Sequence, residues 1–455
     1  MTPTAPNTLE PNTVVAYNGH EVLNSHLKAR HSLVMPTTLT VGYYKRYSIE
    51  VMSTEITGSD IFAQMGVSEH IAPILRTAAR AARNHDIGSA MTHAWLFTGP
   101  PGSGRSVAAV AFAAALECTD PTMVGCGRCE QCRAVLHDAH GDVLHIVPRE
   151  LSIPVEMMRD DVVEPAAKRP TVGQWRVVIL DNADRLTPES ANALLKTVEE
   201  PPAHTVIILC APSTDPTDII PTLRSRSRHL YVPQPSIDEA VAVLTRDGTI
   251  PEPAARLAAA TTGGHIGRAR WLATNKDAQM RRSAVLNIAE LVFHGDQAFR
   301  AGGSLVKQIT KQAEAQLKEE NEEEIDKLRN ALGMGSRGKG VHKALRGADS
   351  AIRDLEALQK KRKTRFVRDH LDMALVDLSG IYRDAIMTHT HATVGLIHPD
   401  LSGLSAELAQ RVPLAGLVGC LDAITICREQ IPNNVRPEAA FDAMLGRIRI
   451  ACGAT

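Results

Sequence analysis

Aromatic residues are scarce in this chain: Phe, Trp and Tyr make up 4% of 455 residues. Proteins that hold single-stranded nucleic acid by stacking its bases need aromatic platforms, so that mode is not expected. Net charge is scarce as well. With 50 Lys and Arg against 51 Asp and Glu, no global field demands a nucleic-acid partner. Long apolar runs are missing, so no membrane span is expected. The N-terminal stretch lacks the basic segment and apolar core of a secretory signal. The expected compartment is the cytoplasm. Eight cysteines occur, four clustered and four scattered, which reads as a metal site in a reducing compartment and not as a disulfide framework. The chain is 44% hydrophobic and 22% charged, so packed cores can form. Its length predicts roughly two to four domains.

The stretch that organises the rest runs from His93 to Ser106. Ala94 to Phe97 is a short apolar run that predicts a buried strand. Gly99, Gly102 and Gly104 follow in a glycine-rich turn, and an Ala/Val-rich helix is predicted from Ser106 to about Leu116. Strand, G-x4-G and helix make a phosphate loop, in which backbone N–H groups and a helix N-terminus close around an anion. The pattern wants Lys before Ser106 and finds Arg105. A planar guanidinium fork does not replace a compact ammonium point charge. Arg105 either fills the phosphate position or pairs with Asp181, which leaves ATP and magnesium binding open.

Cys118, Cys126, Cys129 and Cys132 follow the loop helix. Three cysteines at x2, x2 spacing with a fourth eight residues upstream suit a tetrahedral structural zinc, with no open position for catalysis. Val143 to Val147 and Thr205 to Cys210 are further apolar strands. Arg176 to Leu180 is another and ends at Asp181, the position that faces magnesium in the Walker-B arrangement. The next residue is Asn182, which cannot accept a proton from an attacking water. Ser213 and Thr214, after the Thr205 strand, are candidates to hydrogen-bond a γ-phosphate. Strands alternating with helices predict an α/β fold with a parallel sheet flanked by helices. Gly99, Asp181 and Ser213 all fall at carboxyl ends of strands, where such sheets bind ligands.

Elsewhere the periodicity is helical. One helix is expected over Ile61–Arg83, with Ile71, Ile74, Leu75, Ala78 and Ala79 inward. A second opens at Ile153-Pro154-Val155. Residues 233–273 predict a small helical unit holding Arg268, and residues 274–455 are helical by pattern. Within the latter, about 301–365 form a charged insertion, read as a helical hairpin or mobile segment, broken by glycines at 333–340. Residues 1–55 are read as a disordered extension, with Met52 as the expected natural start.

In order along the chain, these residues carry a resemblance. His93–Pro100, the cysteine module, Val178–Asp184, Asn192-Ala193-Leu194-Leu195-Lys196 with Glu199-Glu200-Pro201-Pro202, and Leu223-Arg224-Ser225-Arg226 resemble the AAA+ subunits of bacterial DNA polymerase III clamp loaders. Asn434–Phe441 is similar to the last collar helix of the delta-prime type. The resemblance implies an AAA+ P-loop domain over 56–232 with its zinc module at 118–132, a helical lid at 233–273, and a helical collar at 274–455 that oligomerises. Arg105 and Asn182 depart from the ATPase tau/gamma type and fit the delta-prime type, because losing a general base costs roughly 10²–10⁴ in rate. By resemblance Arg226 is an arginine finger acting in a neighbouring subunit, with Arg224 and Arg228 as alternatives, and Arg268 is at the sensor-2 position. The implied partners are delta and tau/gamma subunits, the sliding clamp, and primer–template DNA reached through the assembly. No polymerase carboxylate constellation is present. Two other readings stay open: an active tau/gamma-type ATPase, and a nucleotide-binding AAA+ scaffold outside replication.

Overall fold

In a computed structural model, the described residues are 59–86, 90–148, 151–332 and 341–454, with side chains of 341–348 outside the description. The N-terminal extension, the proposed start at Met52 and the glycine break at 333–340 lie outside them.

The expected first helix is two. α1 (Ile61–Gln64) and α2 (Ala72–Arg83) are separated by a turn in which Gly66 adopts φ +68°. Pro73 then sits in the first turn of α2, where a missing N–H costs nothing. Leu75, Ala78 and Ala79 are buried as expected, but Ile74 is 37% exposed. The break re-phases the helix and turns Ile74 outward.

β1 (Ala94–Thr98) leads through the glycine turn into α3 (Arg105–Glu117), and α4 (Glu130–Leu136) follows the cysteine module. β2 (Val143–Ile146) is next. α5 is a composite helix: Val155–Met157, a π-helical turn over Met158–Val163, and Glu164–Ala166. After β3 (Arg176–Leu180) come α6 (Pro188–Glu199) and β4 (Thr205–Ala211). α7 (Pro221–Arg226) and β5 (Arg228–Tyr231) complete the layer.

The five strands form one parallel sheet in the order β2-β3-β4-β1-β5. β1, β3 and β4 are buried throughout, as central strands covered on both faces must be. Alternate residues serve opposite faces. Trp95, Phe97, Ile179 and Ile208 pack with α2 and α3, whereas Leu96, Leu180 and Leu209 pack with α5 and α6. β5 is the strand that apolar patterning does not reveal. Its residues read Arg-His-Leu-Tyr and only Leu230 is buried, because an edge strand needs one covered face.

At the amino end of the sheet, Asp142 is fully buried and accepts from the N–H groups of Thr171, Val172 and Gly173. It also pairs with buried Arg176 at 3.0 Å. Burial pushes its carboxyl up, but these hydrogen bonds and Arg176 outweigh burial and hold it below the ordinary value. Its contribution is therefore present at neutral pH and is lost as pH falls through that lowered value. Asp142→Ala is expected to cost about 3–5 kcal/mol in urea unfolding, since it strands a buried guanidinium. A loss below about 1 kcal/mol would show that Arg176 finds another acceptor.

Three short helices follow: α8 (Ile237–Thr245), α9 (Glu252–Thr261) and α10 (Ile266–Thr274). Their own core centres on Leu244, Ile250, Ala255 and Ala269. Beyond them the chain is helical: α11 (Lys276–Leu291), α12 (Gln297–Ala331), α13 (Val341–His389), α14 (Ser402–Arg411), α15 (Leu414–Gln430) and α16 (Pro437–Ala451). Leu305, Leu375, Tyr382, Leu417 and Phe441 belong to one cluster here. α12 and α13 form a hairpin. Its inner half enters this core through Leu305, Val306, Ile309 and Ala313, while its charged half is tied by Arg362 to Glu324 at 2.9 Å and by Lys363 to Glu314 at 2.6 Å. No single helix among the described residues is long and apolar enough to cross a membrane.

Candidate nucleotide-loop site and cysteine cluster

The parallel register sets the carboxyl ends of β2 and β3 side by side, the first turn of α3 reaches them, and three chemical groups meet there. Asp181 follows β3 and is 7% exposed. Ser106, in the first turn of α3, donates from Oγ to Asp181 Oδ1 at 2.6 Å. His145 of β2 lies with Nε2 at 2.8 Å from Asp181 Oδ2. Burial alone would raise the Asp181 carboxyl. The His145 ring beside it and the hydrogen bonds from His145 and Ser106 outweigh burial and hold the carboxyl below its usual value. Both carboxylate oxygens are thus satisfied by protein groups.

Arg105 does not join them. No ion pair links it to Asp181 among the described residues. Its guanidinium instead contributes charge near Asp184 and Cys210, and its Nη1 is buried without a hydrogen-bond partner. Of the two expectations for Arg105, pairing with Asp181 is the one the geometry does not support.

The loop is closed from above by His265, which caps α10 by accepting from the Arg268 N–H at 3.3 Å. Gly102 has φ +89°, and a Cβ there would lie 2.5 Å from His265 Cγ. Only glycine meets both demands. Burial first, then the charges of Arg268 and Arg105, push the His265 ring down to about 4, so it is neutral at neutral pH. Gly99 is equally confined, because a Cβ would meet the Val232 carbonyl at 2.2 Å. Gly104 has open space around it.

Asn182 sits in the left-handed region at φ +51° and opens a 3-10 turn. Ser213 is at the end of β4 as expected, but its hydroxyl donates to Asp218 at 2.6 Å and is committed locally. Arg268 follows His265 on α10, and its charge acts on that ring. Arg268 lines a cavity between α10, α11 and α13.

Arg226 closes α7 and is 40% exposed at its side chain. Its Nε lies 2.6 Å from Glu199 Oε1, at the end of α6, and Nη1 donates to the Thr222 carbonyl at 3.2 Å. Arg228 is engaged differently, with its guanidinium 4.9 Å above the Trp95 ring and a hydrogen bond to the Ala90 carbonyl. Arg224 is exposed.

The four cysteines converge. The sulfurs of Cys118, Cys126, Cys129 and Cys132 lie within 4.8 Å of one another. Backbone N–H groups already point at them: Cys126 N to Cys118 Sγ at 3.3 Å, Cys129 N to Cys126 Sγ at 3.2 Å, and Cys132 N to Cys129 Sγ at 3.4 Å. Such N–H donors stabilise thiolate over thiol. A tetrahedral zinc with bonds of about 2.3 Å needs sulfurs roughly 3.8 Å apart, so the cluster fits a metal of that kind. Three of its four cysteines are buried and form part of the core around α2 and α3.

A family model described as DNA polymerase III, delta subunit, matches residues 77–236. The DNA polymerase III subunit delta' of Escherichia coli is 32% identical over 207 residues, 45% of this chain and 61% of that protein. The delta' of Pseudomonas aeruginosa is 33% identical over 156 residues, 34% of this chain and 47% of that one. The chain resembles the delta-prime subunits of the DNA polymerase III clamp loader. It is similar as well to the gamma/tau subunit of Mycobacterium tuberculosis, at 36% identity over 172 residues, 37% of this chain and 28% of that protein. The chain therefore spans between 28% and 61% of the length of these relatives. The parallel sheet, the phosphate loop after β1 and the acid after β3 form a phosphate-loop α/β arrangement, and the likeness to DNA polymerase III subunits covers both the delta-prime and the tau/gamma kinds.

Two residues of this clamp-loader-like site escape a reading of the sequence. His145 is one histidine in an apolar strand, 36 residues from Asp181, and only the β2–β3 register brings them together. His265 precedes the expected Arg268 by three residues, and nothing local relates it to Gly102.

Proposed function

We propose that this chain is a delta-prime-type clamp-loader subunit that holds the ring together and does not turn over ATP. The observation that carries the reading is the state of Asp181: its two oxygens are taken by Ser106 and His145, and Asn182 stands where a water-activating acid is needed. The half-exposed Arg226 is then the group that works, reaching the ATP held by an adjoining tau/gamma subunit. Delta, tau/gamma, the sliding clamp and primer–template DNA are the partners of this reading. The four thiolates hold a structural zinc, and residues 274–455 supply the collar. Leu414, Val418 and Ile450, exposed by 39%, 44% and 81%, are apolar positions on α15 and α16 for such packing.

The rival is a tau/gamma-type ATPase, which the 36% identity to that subunit keeps in play. The two separate in one assay. The isolated chain is expected to show no steady ATP turnover, and Asp181→Ala to leave that background unchanged. Turnover above the background that Asp181→Ala abolishes would overturn the stator reading.

A further inference from the structure

The joint between α10, α11 and α13 borders a cavity of about 40 Å³. No residue of the phosphate loop lines it. Its polar wall includes Thr261, Arg268, Arg281, Arg282, His370 and Asp377, and donors dominate. Arg281 is 8% exposed. Its guanidinium lies 5.1 Å over the Trp271 ring, which holds the fork by its face and leaves its edges to donate. Yet Arg281 Nη2 is buried with no hydrogen-bond partner. Thr261 is 5% exposed and its hydroxyl likewise has none. Arg282 commits its two terminal nitrogens to Asp400 at 2.7 and 2.8 Å, and its Nε is left unpartnered. Arg268 adds a third guanidinium.

Buried polar groups in folded proteins almost always find partners, and a cluster without them calls for a bound water or ion. Here the partners lacking are acceptors. Water supplies acceptors too, but it supplies as many donors and no charge. Among the lining residues Asp377 is the single carboxylate, set against three guanidiniums. Burial pushes its carboxyl up to about 6 despite them, so it yields readily to a second negative group. Burial pushes the His370 ring down to about 4, so it is neutral at pH 7 and the guanidiniums are the positive charges of the wall. The volume exceeds that of one water, which needs roughly 10–15 Å³, and it is too small for a nucleoside.

We propose that this cavity binds one small tetrahedral oxyanion, inorganic phosphate being the probe of choice, through Arg268, Arg281 and Thr261. Bound there, the anion cross-links α9 and α10 to α11 and stiffens the joint. The site is independent of the assigned role in clamp loading and of the phosphate loop.

The test is phosphate titration of the full chain by calorimetry and by thermal shift, against chloride at matched ionic strength. Charged hydrogen bonds of this kind lead us to expect that Arg281→Gln weakens binding about tenfold or more, with Thr261→Val acting in the same direction, while Arg105→Gln leaves it in place. Thr261→Val keeps side-chain volume and decides the matter should Arg281→Gln fail to fold. A phosphate response no larger than that of chloride would mean that waters fill the cavity, and the proposal falls. Binding that survives Thr261→Val and Arg281→Gln but is lost in Arg105→Gln would place the anion in the phosphate loop, and the proposal falls equally.

Discussion

Arg226→Ala in this subunit is expected to slow ATP hydrolysis at the adjoining site by about 10³-fold or more, with the ring still assembled. The size of the effect comes from charge. A phosphoryl group in transfer spreads negative charge over its equatorial oxygens, and a guanidinium delivered from a neighbour neutralises it where little water remains. Arg226 can make that delivery. It ends α7, its side chain is 40% exposed, and it pairs with Glu199, itself 42% exposed. Exposed pairs of this kind are worth about 0–1 kcal/mol, so Glu199 can orient the fork and release it at small cost. Arg228 is held on Trp95 and at the Ala90 carbonyl, which makes it the weaker candidate. The measurement is ATP turnover of a complex reconstituted with delta, tau/gamma, clamp and primed DNA, with size-exclusion chromatography to confirm assembly. Arg224→Ala serves as the comparison. Unchanged turnover in an assembled Arg226→Ala ring would make Arg226 a surface cation of α7 and end its role as a finger.

Removing the metal is expected to have the other large effect. Structural zinc contributes apparent binding energies of about 10–16 kcal/mol at pH 7 in small zinc-folded peptides, and what a metal in this cluster would hold is not peripheral. Cys118, Cys126 and Cys132 belong to the same core as Leu75, Phe112 and Leu116. Gln64 of α1 donates to the Cys126 carbonyl, and the Ile61 N–H donates to the Gly125 carbonyl, so the cluster anchors α1 as well. The purified chain is expected to carry one equivalent of zinc by elemental analysis. Chelation, or Cys126→Ser, should lower the melting temperature by ten degrees or more and expose the α1–α3 region to protease, on the order of several kcal/mol of lost stability. A chain without metal that melts where the native protein melts would reduce the cluster to four packed thiols.

Much of this was legible in the sequence because it rests on local rules. β1, β3 and β4 are apolar runs of five to seven residues, and such runs bounded by turns have few other uses. Asp181 and the four cysteines were placed by spacing alone. The rest depends on distance along the chain. β5 hides because an edge strand keeps charged residues on its open face. The split of α1 from α2 turns on one glycine at positive φ, and periodicity does not register a break that keeps both neighbours helical. His145 and His265 gain their roles from register and from the fold of the α8–α10 unit. The sequence pattern at Arg268 suggests a solvated cation or a phosphate sensor; it does not show that the side chain lines a cavity with Arg281 of the next helix and with Asp377, which comes from far along the chain.

The long helix α13 has a mechanical consequence. It runs for 49 residues, about 74 Å at 1.5 Å per residue. Near its middle Arg365, 5% exposed, donates to the carbonyl of Pro148, just beyond the strand that carries His145. Asp377, three turns further along, reaches the cavity wall. The first 24 residues of the helix lie beyond that point of attachment, a lever arm of about 36 Å. By geometry alone, a tilt of about 10° at Pro148 would swing the far end of α13 by roughly 6 Å. The charged hairpin is thus tied to the strand layer at one buried contact, and any rotation about that contact would be magnified at its far end.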